Sequence, residues 1–145
     1  MSDFNQQCAV YLDPLVAALG LSQGTVEDHG VYGFADAIGG NVCIRFEQDR
    51  GLCEFVLSSI AEPDRKWSLL LIAALFPRVR LLPGGSQRLS LAEQAQLIQD
   101  HWTELQSLFS PSTVDSTTAR LDAENDRLLV TAGMKTANKT MEPTR

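Results

Sequence analysis

Phe4, Cys8, Tyr11, Leu12, Leu15, Val16 and Leu19 recur at helical spacing, so the chain opens on a helix with one apolar face. Gly20 follows as a left-handed cap, and Leu21 is placed to fold back on the last turn. Pro14 falls inside the pattern and has no N–H to bond Val10. The helix must therefore kink there, or Asp13 must cap a second short helix.

Between Thr25 and Ile60 the period shifts to two. Val42, Ile44 and Phe46 alternate with Cys43, Arg45 and Glu47, the pattern of a half-buried strand. Gln48-Asp49-Arg50-Gly51 reads as a turn, after which Leu52 to Ile60 returns antiparallel. With Asp49 and Arg50 central in that turn, Arg45 faces Glu54 and Cys43 faces Val56. An earlier strand around Val26 to Phe34, interrupted by Gly30 and Gly33, completes the meander.

Trp67 to Phe76 predicts a short helix, apolar nearly all round and stopped by Pro77, which must be buried on several sides. Arg78 to Leu82 reads as extended and Pro83-Gly84-Gly85 as a loop. The capping box Ser90-Leu91-Ala92-Glu93 opens a long helix whose stripe is Leu91, Ala95, Ile98, Trp102, Leu105 and Phe109. The order predicts an α+β fold: a three-stranded or larger antiparallel meander with an N-terminal helix, a short buried helix and a long C-terminal helix packed on one face.

Composition shifts at Ser110-Pro111-Ser112-Thr113, which opens a stretch rich in Ser, Thr, Ala, Asp and Asn with no aromatic residue. The expected organisation is a single domain over 1–110 and a weakly structured tail over 111–145. That tail has enough apolar residues for one weak helix around Thr117 to Val130.

The chain has 145 residues, 44% of them hydrophobic, and a net charge of -6. All of that charge lies in the expected domain: residues 1–110 carry 7 basic and 13 acidic groups, whereas 111–145 carry 5 of each. This is the wrong sign for holding phosphate backbones, so no nucleic-acid partner is expected. Trp67 to Phe76 is about half the roughly 20 residues that cross a bilayer, so no membrane span is expected. Cys8, Cys43 and Cys53, without a cleavable apolar leader, read as reduced thiols in a cytoplasmic protein.

Candidate chemistry is sparse. A Cys–His nucleophile pair would draw on the three thiols with His29 or His101, but no spacing brings a pair together, and inert buried thiols are the simpler reading. Two distant histidines without a paired-ligand motif give no metal site, and no cofactor signature is present. Asp100 and His101 are adjacent on a helix and point about 100° apart, which makes them a surface pair. Glu47 and Glu54 on the polar hairpin face are a candidate carboxylate dyad, but beside Arg45 they read better as a solvated charge ladder. Arg65, Lys66, Arg78, Arg80 and Arg88 supply five of the seven basic groups before residue 110, a candidate basic edge.

Two resemblances bear on origin and role. The final residues, Ala137-Asn138-Lys139-Thr140-Met141-Glu142-Pro143-Thr144-Arg145, resemble the read-through of a recombination site that ends mobile gene cassettes of bacterial integrons. That resemblance implies a bacterial cytoplasmic protein with a dispensable terminus. The segments Val42 to Gly51, Trp67-Ser68-Leu69 and Leu89 to Gln94 are similar to small bacterial α+β proteins, some of which resemble immunity proteins that sequester toxins.

The expectation for function is a non-catalytic protein-binding module, immunity-like or chaperone-like, that holds its partner on an acidic sheet face or a basic edge. Its candidate contacts are Arg45, Glu47, Glu54, Arg78, Arg80 and Arg88. The alternative is a small-molecule binder or small enzyme with a cavity between sheet and helices, lined by Tyr32, Phe34, Phe46, Phe55, Trp67 and Trp102 and converging on His29 or His101. A homodimer is also open, through an edge strand or through Leu97 and Leu108 facing outward from the long helix.

Overall fold

The computed structural model describes residues 3–76 and 89–131, the last four of these as backbone. The chain opens with α1 (Asp3–Gln7), a π-helical turn (Cys8–Leu12) and α2 (Asp13–Leu19). A second short helix does begin here, but Asp13 is its first residue and not its cap, with Leu12 at the N-cap and no side-chain cap bond. The Asp13 N–H bonds the Cys8 carbonyl, a longer loop that carries the helix past the residue unable to donate. Gly20, at φ 65°, caps α2 as expected, and the Leu21 N–H returns to the Val16 carbonyl at 3.0 Å.

Five antiparallel strands follow in chain order across one sheet: β1 (Ser22–Asp28), β2 (Tyr32–Gly39), β3 (Val42–Asp49), β4 (Leu52–Ser59) and β5 (Trp67–Ser68). The strand expected from Val26 to Phe34 is two strands. Gly30, at φ 85°, turns the chain between them, aided by Gly30 N–H donation to the Asp28 carboxylate and His29 N–H donation to the Tyr32 carbonyl.

The β3–β4 register also departs from expectation. Arg50 at φ 54° and Gly51 at φ 84° are the central pair of a two-residue turn closed by Asp49 and Leu52. Positive φ at both positions matches the twist of a hairpin, which a turn centred on Asp49 and Arg50 would not. As a result Arg45 faces Val56 and Asp36, Cys43 faces Ser58, and Glu47 faces Glu54.

The register sorts the sheet into two faces. Ala35, Phe46 and Phe55 form one row of the inner face, and Ala37, Ile44 and Leu57 form the next; all six are buried. Against them pack Phe4, Leu12 and Leu15 from the N-terminal helices, Leu69 and Ile72 from α3 (Leu69–Ala73), Leu97 and Ile98 from α4 (Leu91–Asp100), and Leu105 from α5 (Trp102–Leu108). Phe4 stacks on Phe46 with ring centroids 6.0 Å apart, and Phe46 meets Phe55 at 5.0 Å. The fold is thus α+β with its helices on one face, as the sequence order implied.

The short apolar helix begins later than expected, because Trp67 and Ser68 first pair with β4 and Ser68 then caps α3 through its Leu70 contact. The long helix opens on the expected capping box but breaks at His101 (φ -111°, ψ 21°), giving α4 and α5. Leu97 is buried and Leu108 packs on the core, so neither offers the outward dimer face expected of them. The N-terminal helices occupy that side of α4.

Polar side chains fasten the helices to the sheet. Gln106 accepts from the Asn41 N–H at 2.8 Å and donates to the Gly39 carbonyl at 2.8 Å, while the Asn41 side chain donates to the Gln106 carbonyl. Gln94 accepts from the Phe55 N–H at 3.0 Å, filling a position that two-residue β5 does not reach. Beyond Ser110 the chain forms α6 (Val114–Thr131), where one weak helix was expected. Leu121 is fully buried in the core, Thr117 is buried and donates to the Leu108 carbonyl, and Asp122 pairs with Arg65 at 3.0 Å.

Candidate functional site

The outer face of the sheet is the one opposite the helix-packed core, and it gathers the chain's most distinctive side-chain chemistry. Alternation along β2 puts Tyr32, Phe34, Asp36 and Ile38 there; β3 adds Cys43, Arg45, Glu47 and Asp49; β4 adds Leu52, Glu54, Val56 and Ser58. Glu27 joins from β1, opposite Phe34. None of these apolar side chains belongs to the cluster that fills the inner face.

At the centre lies a pre-set arginine. Arg45 donates from Nε to Asp36 Oδ1 at 2.8 Å and from Nη2 to Oδ2 at 3.0 Å, with its guanidinium 3.7 Å from the centre of the Phe34 ring. The fork and the stacked ring fix the side chain in one geometry. The Asp36 bond holds the Arg45 guanidinium still further above its usual range.

Next to it, Glu47 and Glu54 face each other across the ladder. Burial pushes the Glu47 carboxyl above the ordinary carboxylate range, and Glu54 pushes it further, against the weaker opposing fields of Arg45 and Lys66. Apolar side chains stand open at the two ends of the face, Tyr32 at 37% and Leu52 at 67% exposure at one end and Ile38 at 38% at the other, whereas Cys43, Val56 and Ser58 on the same face are buried. His29 bonds Glu27 at 2.8 Å on the rim.

The predicted contacts divide accordingly. Arg45, Glu47 and Glu54 come together with Tyr32, Phe34 and His29 on the outer side. Arg78, Arg80 and Arg88 lie outside the described residues, as does the recombination-site resemblance at 137–145. The aromatic set expected to line one cavity is divided by the sheet: Phe46 and Phe55 are buried on the inner face, Trp67 and Trp102 pack against that core, and Tyr32 and Phe34 stand on the outer face.

His101 is not the surface partner of Asp100. Its ring stacks on Phe76 at 4.4 Å between centroids and its Nδ1 lies 2.7 Å from Glu104, while Asp100 accepts from Gln96. All three cysteines are free. Burial pushes the Cys8 thiol up to about 11, helped by Asp13, and burial also raises Cys43 and Cys53. Such thiols are poor nucleophiles at neutral pH.

Sequence reasoning missed Asp36, Glu27, Ile38 and Leu52. For Asp36 and Ile38 the signal was the alternation of small Ala35 and Ala37 with larger Phe34, Asp36 and Ile38, which the strand assigned to Val26–Phe34 cut off. Among the described residues, no group of three or more His, Cys, Asp or Glu could hold a metal ion, and no helix is long and apolar enough to cross a membrane. Comparison with protein-family models, with curated proteins and with solved structures gave no match to the chain.

Proposed function

We propose that the chain is a non-catalytic protein-binding module of a bacterial cytoplasm, and that its outer sheet face is the docking surface. The observation that carries this reading is the outward display of Tyr32, Ile38 and Leu52 around the fixed Arg45–Asp36–Phe34 group. Rigid aromatic and arginine side chains are the common energetic anchors of protein interfaces. Here the guanidinium is ordered before binding, which lowers the entropy cost of contact. An immunity-like or chaperone-like role fits such a surface, in keeping with the resemblance of the hairpin and helix segments. The cassette-like terminus fits the same bacterial setting.

Site-specific photo-cross-linking in living bacteria tests this. A benzophenone side chain replacing Ile38 or Leu52 is expected to capture a protein, and the same group replacing Gln96, exposed on α4, is not. Equal capture from Gln96, or none from either sheet position, contradicts the reading.

A further inference from the structure

The two edges of the sheet are finished differently. At one edge β5 pairs with Val56 and Leu57, and Gln94 accepts from the Phe55 N–H beside them. At the other, β1 is outermost, and all seven of its residues are exposed. Its neighbour is covered: Ala35 and Ala37, opposite Val26 and Gln23, are buried. Val26 therefore stands on the helix-packed face and is still 55% exposed, because the helix layer stops short of this edge.

The hydrogen bonds fix which way the β1 main chain points. The Arg50 N–H donates to the Val31 carbonyl at 2.7 Å, so Val31, Gly33 and Ala35 turn their main-chain groups to β3, and Tyr32 and Phe34 turn theirs to β1. The 2.7 Å bond from the His29 N–H to the Tyr32 carbonyl agrees with that order. By the same alternation Glu27 bonds toward Phe34, whereas Val26 turns its N–H and C=O out to the open edge. β1 contains neither Lys nor Pro, the residues that commonly guard an edge. Its bulge sets Gly24 and Thr25 against Asp36 and leaves Val26 to Asp28 in regular register.

We infer that β1 pairs antiparallel with β1 of a second copy of this chain, about a two-fold axis at Val26, so that two sheets join edge to edge. A two-fold contact sets the residue on the axis against itself. An axis at Glu27 or at Asp28 would bring two like carboxylates face to face, which disfavours those registers. With the axis at Val26 the two exposed valines meet, and each Glu27, already bonded to His29, faces Thr25 of the second copy. Val26 is the one large apolar residue of β1, and the symmetry alone gives it an apolar neighbour on the face that the helices leave open. The contact is a single short strand, at the small end of interface sizes, so the dimer is reversible and concentration-dependent. The outer face of each sheet stays open, and the inference stands apart from the docking surface proposed above.

Sedimentation equilibrium of the full chain over a wide concentration range is the test. A monomer–dimer equilibrium is expected. Val26→Pro removes an N–H that makes no bond within the chain, so the variant is expected to keep its circular dichroism while its dimer weakens by about tenfold or more, through two symmetry-related hydrogen bonds. Val26→Asp keeps the N–H but sets two carboxylates opposite each other, and the same loss is expected; it decides the matter if the proline variant unfolds. Ile60→Asp makes that change at another exposed apolar site, just past the end of β4, and is expected to dimerise like the parent. A chain that stays monomeric up to about 1 mM, a dimer unchanged by folded Val26 variants, or an equal loss in Ile60→Asp overturns the inference. Cross-linking at Ile38 and Leu52 reads a different surface, so the two proposals fail separately.

Discussion

Glu47 on β3 and Glu54 on β4 stand directly opposite each other on the outer face, and burial and Glu54 together raise the Glu47 carboxyl above its ordinary range. A raised carboxyl is a stability cost at neutral pH, relieved as the pH falls through the folded-state value and the group protonates. Glu47→Gln is therefore expected to stabilise the fold by roughly 0.5 kcal/mol at pH 7, the scale of one unfavourable cross-strand pair. The advantage should vanish once acid has protonated the parent. Urea unfolding of both proteins at neutral and acid pH measures it.

Arg45 tests whether geometry or mere charge holds the centre of the face. Lysine cannot reproduce the two-pronged bond to Asp36 or the flat contact on Phe34. Arg45→Lys is expected to cost about 2 kcal/mol, near the sum of a partly exposed cation–π contact and one charge-assisted hydrogen bond. Denaturant midpoints report the loss.

Gln106 pins α5 to the β2–β3 turn through three hydrogen bonds shared with Gly39 and Asn41. Truncation in Gln106→Ala removes two of them and leaves a turn N–H and carbonyl without those partners. The expected cost is about 1–3 kcal/mol, read by thermal or urea unfolding.

Leu121 carries the claim that the chain beyond Ser110 completes the core. It is fully buried, and Leu121→Ala is expected to destabilise by about 2–4 kcal/mol, as for other buried leucines. An effect near zero would mean that α6 adds nothing to the fold.

The thiols give a prediction at the alkaline end. Cys8 is raised from 9.0 to about 11 when folded, so the unfolded chain loses that proton first as pH rises. Stability is expected to fall across that interval, because the unfolded state binds fewer protons than the folded one. In native conditions at neutral pH a disulfide thiol reagent should react slowly, and urea should release all three thiols at once.

How far the sequence disclosed this structure depended on how local the determining physics was. The N-terminal apolar stripe, the Gly20 cap and the Ser90–Glu93 capping box are set by neighbours in sequence, and each forms as read. The hairpin register is not legible locally because it turns on which two residues take positive φ, and Arg50 doing so is not written in its side chain. The break at His101 falls where its ring stacks on distant Phe76, and the burial of Leu97 rests on helices packed from the other end of the chain. Those are tertiary facts. Of the outer face, Arg45, Glu47 and Glu54 were legible from alternation, but the pairing of Arg45 with Asp36 and Phe34 became visible only once β2 was placed.

The most direct measurement is native mass spectrometry of the full chain purified gently from bacteria that express it, run beside the double variant Tyr32→Ala, Leu52→Ala. The parent is expected to retain a bound protein that the variant loses, with both folded alike by circular dichroism. Equal retention by the two, or a small molecule in place of a protein, would contradict the assignment of the outer sheet face as the docking surface.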